Sequence, residues 1–278
     1  MEKASATIAL IVLCASLFCQ SEFPEYLESL GENRRAAVEY LRLAHDAEDS
    51  IAASRAIYRA ARCFEKEGEY WTSRKLFLEL DNPANPRRIR EAAYYRVGVS
   101  DFFLGRLNEV NSRAADAEGS DSLVNASAYL NGWAHFFARS YSDSRNIFES
   151  LEPSTFENSA RFMAERSQEG LELPHRSPFL SASMSAVLPG SGRAYCGRWG
   201  DALVNLLVVG GAVGGSIALW EQDRGFALTL AGIGAFFYGG NVYGSYVGAK
   251  WFNEQQHREL YRYARNEVNR RPEDIFDE

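Results

Sequence analysis

The residues that most often carry chemistry are dispersed in this chain. Its four histidines, His45, His135, His175 and His257, stand apart from one another, with no metal-ligand spacing to a cysteine or carboxylate. Ser185 and Ser191 lack the context of an activated nucleophile. Carboxylate pairs such as Glu65 and Glu67 fall on amphipathic helix surfaces, where solvation is their ordinary role. A glycine-rich stretch at residues 188–202 invites comparison with a phosphate cradle. It lacks the G-x-x-x-x-G-K-[ST] of a P-loop, and a dinucleotide fingerprint would need glycine where Tyr195 stands. No enzyme activity, cofactor or metal is expected. The net charge of −7, without a clustered basic face, also argues against a nucleic-acid partner.

The elements around these residues change solvent along the chain. Residues 22–176 are polar and charge-rich, whereas 203–220 and 226–249 carry few charged or strongly polar side chains. At the N-terminus a Lys precedes an apolar run of about 13 residues, the length of a signal-peptide core and short for a membrane span. Export with cleavage between Ser21 and Glu22 is expected. Lipidation at Cys14 or Cys19 and an uncleaved anchor are the alternatives. Cys63 and Cys196 remain in the mature chain and make no disulfide framework; Cys63 sits in a helical apolar pattern as a small core residue.

An internal repeat organises the polar part. Over a step of about 37 residues, Tyr58, Arg59, Ala61, Gly68, Tyr70 and Phe77 fall on Tyr95, Arg96, Gly98, Gly105, Leu107 and Ala114. Over a further step of about 34, Tyr95, Gly98, Leu107, Val110 and Ala114 fall on Tyr129, Gly132, Tyr141, Ser144 and Phe148. Each copy predicts a helix, a tight turn near Gly68, Gly105 or Arg139, and a second helix with apolar residues three and four apart. Asn85-Pro86 and Pro153 terminate second helices. Residues 32–47 look like the second helix of a preceding half-repeat, and 158–171 like a trailing cap.

This pattern resembles the tetratricopeptide repeat, over roughly residues 30–172. Ala61, Gly98 and Gly132 match the small site of the first helix. Ser73, Val110 and Ser144 match that of the second, with Phe77, Ala114 and Phe148 at the aromatic position. The resemblance implies stacked helix pairs with a concave face lined by first helices, where partners bind. Its groove positions correspond to Tyr58, Arg62 and Glu65, then Tyr95, Val99 and Phe102, then Tyr129, Trp133 and Phe136. Such aromatics either present a stripe to a peptide or helix partner or fill the repeat core. Arg62 and Glu65 favour an open groove, since charged groups seldom enter a core unpaired.

The C-terminal part predicts a membrane hairpin. Trp199 and Trp220 bracket an apolar stretch and stand roughly 32 Å apart on a helix, close to the hydrocarbon thickness of a bilayer. A short polar turn at 221–225 precedes a second span ending at Lys250-Trp251. Gly210 with Gly214, Gly211 with Gly215, and Gly240, Gly244 and Gly248 recur at four-residue spacing, which predicts close pairing of the two helices. Asn205 and Asn241 are expected to hydrogen-bond between helices. A soluble buried hairpin is the alternative.

Ahead of the first span, Pro189, Gly190, Gly192, Tyr195, Gly197 and Arg198 match the P-G-x-G-x-x-Y-x-G-[RK] signature of a small two-helix bacterial membrane domain, which residues 180–252 resemble. Arg193 departs from the Gln common there. Orientation holds a conflict: export places both flanks of the hairpin outside the cytosol, yet Arg193, Arg198, Lys250 and Arg258 lie on those flanks, against the positive-inside tendency.

The expected architecture is therefore all-α, a helical-hairpin solenoid followed by a transmembrane hairpin. The segments are a signal at 1–21, a repeat domain at 22–175, a two-helix membrane domain at 176–252 and a charged helical tail at 253–278. The expected role is an inner-membrane scaffold whose exported repeats bind a protein or peptide partner of the cell envelope, with membrane lipid around the hairpin. The alternative is an accessory subunit of an envelope transport or secretion complex.

Overall fold

The structure, a computed structural model, describes residues 22–151 and 156–276; the export signal and Pro153 lie outside them. Among the described residues every regular element is helical, and consecutive helices pack antiparallel. Two compact units result. One runs to Gln168 and takes in the stretch from Val268 onward; the other is Glu169–Glu267.

In the first unit, helical residues 22–29 (α1) pair with α2 (Asn33–Asp46), α3 (Ser50–Lys66) with α4 (Tyr70–Leu80), α5 (Arg87–Phe103) with α6 (Leu107–Ala115), and α7 (Asp121–Phe137) with α8 (Tyr141–Ser150). α9 (Glu157–Leu171) follows. The turn within each pair is the same. Gly31, Gly68, Gly105 and Arg139 adopt left-handed φ of 75°, 75°, 72° and 66°. The next amide in each turn reaches back to close the helix end: Glu32 to Leu27, Glu69 to Phe64, Arg106 to Asp101 and Ser140 to His135, all at 2.9 Å. Glycine suits that φ because it has no Cβ; Arg139 adopts it at a steric cost. The half-repeat expected at 32–47 thus has its first helix in 22–29.

Small residues set the helix spacing. A Cβ on Gly132 would stand 2.7 Å from the Phe148 ring, and one on Gly98 3.0 Å from Leu130. Ala61 fills the matching position, packed with Phe77, Leu80, Ala93 and Val97. Tyr58 meets Phe77 edge to face at 5.4 Å, and Tyr129 meets Phe148 likewise at 5.5 Å. Buried hydroxyls tie successive pairs. Ser73 meets Ser100 at 3.2 Å, and Ser144 meets Ser167 at 2.9 Å. α4 ends at Leu80, whose carbonyl accepts from the Asn85 side chain, and Pro86, expected to terminate this helix, stands instead at the N-cap of α5.

The second unit contains α10 (Pro178–Val187), α11 (Ser191–Tyr195), α12 (Trp199–Leu219) and α13 (Arg224–Glu267). α12 and the first part of α13 are long and apolar enough to cross a membrane, and only 22% and 17% of their most apolar windows are buried. The exposed side is rich in large apolar groups, among them Leu207, Ile217 and Phe236. The glycine pattern packs differently from its expectation. Gly210, Gly211, Gly214 and Gly240 have open space where a Cβ would project. The close approach between helices is instead Gly234 on Ala212 and Gly215 on Leu230, with Ser216 Oγ donating to Ala227 O at 2.9 Å. Gly244 and Gly248 receive the guanidinium groups of Arg193 and Arg198. Spacing selects a helix face; it does not select what covers that face.

Candidate functional site

After Glu267 the chain leaves the helix, bends, and forms a short 3-10 turn, η1 (Pro272–Asp274). This segment lies on α5 and α7 of the first unit. Its backbone carbonyls meet a row of donors from the first helices of successive pairs. Tyr58 Oη donates to Phe276 O at 3.1 Å, Tyr95 Oη to Pro272 O at 2.8 Å, and Tyr129 Oη to Arg270 O at 2.7 Å. These are the repeat-equivalent tyrosines of the sequence pattern. Between them Arg96, whose side chain is wholly buried, donates to Glu273 O at 2.8 Å and Ile275 O at 2.5 Å. Phe276 packs on the Tyr95 ring at 5.3 Å, and Pro272 and Ile275 are buried. Ser159 Oγ accepts from the Arg270 amide. Carbonyls carry no side-chain identity, so the tyrosine row reads chain path.

The remaining groove candidates take distinct places. Glu65 is buried, and its two oxygens face two guanidiniums: Arg62 at 2.8 Å and Arg96 at 3.3 Å. The expectation of an open groove position is corrected for Glu65, which is buried and paired, the only form in which a charge is cheap inside; Arg62 is partly exposed and borders a cavity beside the tail. Val99, Phe102, Trp133 and Phe136 are buried, and Trp133 and Tyr141 both lie edge-on to Phe136. Among the groove candidates the tyrosine rings contact the tail, while Phe102 meets Phe103 and Phe137 edge to face within the helices. Burial pushes the Tyr95 and Tyr129 hydroxyls well above the usual phenolic range, so both remain donors.

Beside the tail lies a cavity of about 1120 Å³. Ile275, Phe276 and Asp274 form one side of it; Arg55, Arg62, Lys66 and Arg88 line another. Among the described residues no group of three or more His, Cys, Asp or Glu could hold a metal. Cys63 and Cys196 are free and buried, and burial pushes the Cys63 thiol up to about 12, where it is inert as a nucleophile. No protein-family model, curated protein or solved structure matches this chain. The site stands on its geometry.

The second candidate set, the glycine signature, makes a compact turn. Gly190 has φ 90°, and a Cβ there would sit 2.2 Å from Ala202 O; on Gly192 it would sit 1.9 Å from Ser181 O. Asn241 of α13 accepts from the Gly190 amide and donates to Ser185 O, both at 3.1 Å. Ser185 Oγ accepts from the Gly192 amide at 2.9 Å and meets Ser245 Oγ at 2.7 Å. Asn241 therefore bonds between elements as expected, whereas Asn205 bonds to Asp201 O of its own helix. Pro189 precedes this turn. Gly197, at φ 79°, closes α11, and Tyr195 lies under the Arg176 guanidinium at 4.8 Å. Arg198 pairs with Asp201. Its bonds to α10 and α13 make this turn a structural corner.

Sequence reasoning passed over Arg96, and the charged helical tail it expected at 253–278 is corrected: the helix ends at Glu267 and residues 268–276 turn onto the tyrosine row. Arg96 had a usable signal, since Arg59 falls on it in the repeat. The tail had none, because its bonds run through the main chain.

Proposed function

We propose that this chain is a membrane-anchored scaffold of the bacterial cell envelope whose tetratricopeptide-type helix pairs, exported to the periplasm, bind a protein segment. One observation carries this reading: Tyr58, Tyr95, Tyr129 and Arg96 all donate to backbone carbonyls of a single short segment built around the 3-10 turn η1. Donors aimed at several main-chain carbonyls of one segment give affinity for a chain whose carbonyls are not used up in an α-helix, and neighbouring apolar pockets give it a preference. Anchoring rests on α12 and α13, whose exposed apolar faces are stable when lipid covers them.

A photo-crosslinking residue in place of Arg88, at the cavity edge, tests the binding role in intact membranes. Covalent adducts with an exported protein support it, and their absence across growth conditions opposes it. A C-terminal reporter active only outside the cytosol tests export. Gly210, Gly211, Gly214 and Gly240, open within this chain, favour a second reading: the hairpin packs on other spans as an accessory subunit of a transport or secretion complex. One stoichiometric integral partner, lost in Gly214→Leu, would favour that reading.

A further inference from the structure

The seat built by α3, α5 and α7 is occupied by the chain itself. That occupant shows what the seat accepts. Arg270, Pro272, Glu273, Ile275 and Phe276 present carbonyls to it; Pro272 and Ile275 enter buried positions, and Phe276 lies on Tyr95. The pattern is a proline followed three residues later by an adjacent branched-apolar and aromatic pair. A helical partner is a poor match, because intrahelical bonding already uses the carbonyls that these donors need. Glu273 meets Arg96 through its carbonyl, and the Asp274 carboxylate accepts from the Arg271 amide of the same segment.

We infer that residues 270–276 are a resident internal ligand, which a partner segment carrying the same proline and apolar–aromatic pattern must displace; this rests on the peptide-binding reading above. A site filled in cis reduces the apparent affinity of any competitor by the fraction of time it stands empty. Tail release is then the step that governs capture. The short stretch between Glu267 and Arg270, outside any helix, supplies a hinge.

The test uses the full-length protein in detergent micelles and a fluorescently labelled synthetic peptide of the sequence Arg270–Phe276, followed by anisotropy. Wild type is compared with the double variant Ile275→Asp, Phe276→Ser, which loosens the tail and leaves every donor of the seat in place. The variant is expected to bind the peptide at least about tenfold more tightly than wild type. A peptide with serine at both positions of the apolar–aromatic pair is expected to lose that binding. Equal binding by both proteins overturns displacement while leaving the seat as a peptide site. No binding by either, with helical content retained, overturns the peptide-binding reading as well. A mass change from monomer to dimer on loosening, or crosslinks from a tail to another copy's Tyr95 position, overturns the cis arrangement in favour of exchange between copies.

Discussion

Arg96 Nη2 donates to the carbonyl oxygen of Ile275 at 2.5 Å, across 179 residues of sequence. The same guanidinium pairs with Glu65 and bonds to Glu273 O, so one buried charge joins α3, α5 and the C-terminal segment. Arg96→Met removes these bonds and leaves Glu65 with Arg62. Loss of a buried partner costs about 3 kcal/mol or more, and urea unfolding of the first unit is expected to show it. Glu65→Leu combined with Arg96→Met should recover part of the loss, because the fully buried charges are then both gone and only the partly exposed Arg62 loses its contact with Glu65. A double variant weaker than the sum of the singles would remove the coupling argument.

Arg139 occupies the left-handed position that glycine holds at Gly31, Gly68 and Gly105. Arg139→Gly is expected to stabilise the fold by about 1 kcal/mol, and Gly105→Ala to destabilise it by a similar amount. Chemical denaturation curves of the two variants should shift in opposite directions from wild type.

At the glycine corner, added methyls separate tight from open positions. Gly192→Ala and Gly190→Ala drive a Cβ into backbone oxygens and are expected to cost about 3 kcal/mol or more, with loss of detergent-extracted folded protein. Gly210→Ala, with nothing near its Cβ, should leave yield and melting unchanged. Equal sensitivity at all these positions would contradict the packing described for this turn.

Glu91 ties α5 to the start of α7. Burial pushes its carboxyl up, but hydrogen bonds from Arg87 and from the hydroxyl and amide of Ser120 outweigh this and hold it below its usual 4.5. A folded value below the unfolded one contributes stability that is complete above 4.5 and is lost as pH falls through the folded value. Urea midpoints measured from about pH 6 to about pH 3 should therefore fall less steeply for Glu91→Gln than for wild type. Parallel profiles would mean that Glu91 does not supply this linkage.

Much of the helix pairing was legible in the sequence because close packing writes itself into residue size. Gly98 and Gly132 are small where a ring or a leucine approaches, Ala61 where a core cluster closes, and the turn positions share one φ. The apolar runs of α12 and α13 were equally plain. What stayed hidden depends on partners that periodicity does not encode. Four-residue glycine spacing gave a face, yet arginines cover Gly244 and Gly248 and open space surrounds Gly210. The tyrosine recurrence marked the seat, but its occupant bonds through carbonyls, which every residue has. Glu65 seemed too polar to be buried, but Arg62 and the buried Arg96 pair with its two oxygens.

Seating of the C-terminal segment on the tyrosine row is most directly tested by thiol accessibility. Ile275 is buried at 4% exposure, whereas its neighbour Asp274 is exposed, and the native Cys63 and Cys196 are buried. With Ile275→Cys and Asp274→Cys prepared separately in the full-length protein, maleimide should modify position 275 at least about tenfold more slowly than position 274. Adding Tyr58→Phe, Tyr95→Phe and Tyr129→Phe together should weaken that protection, with Arg96 still holding Glu273 O and Ile275 O. Equal rates at the two positions in the otherwise native chain would contradict the account.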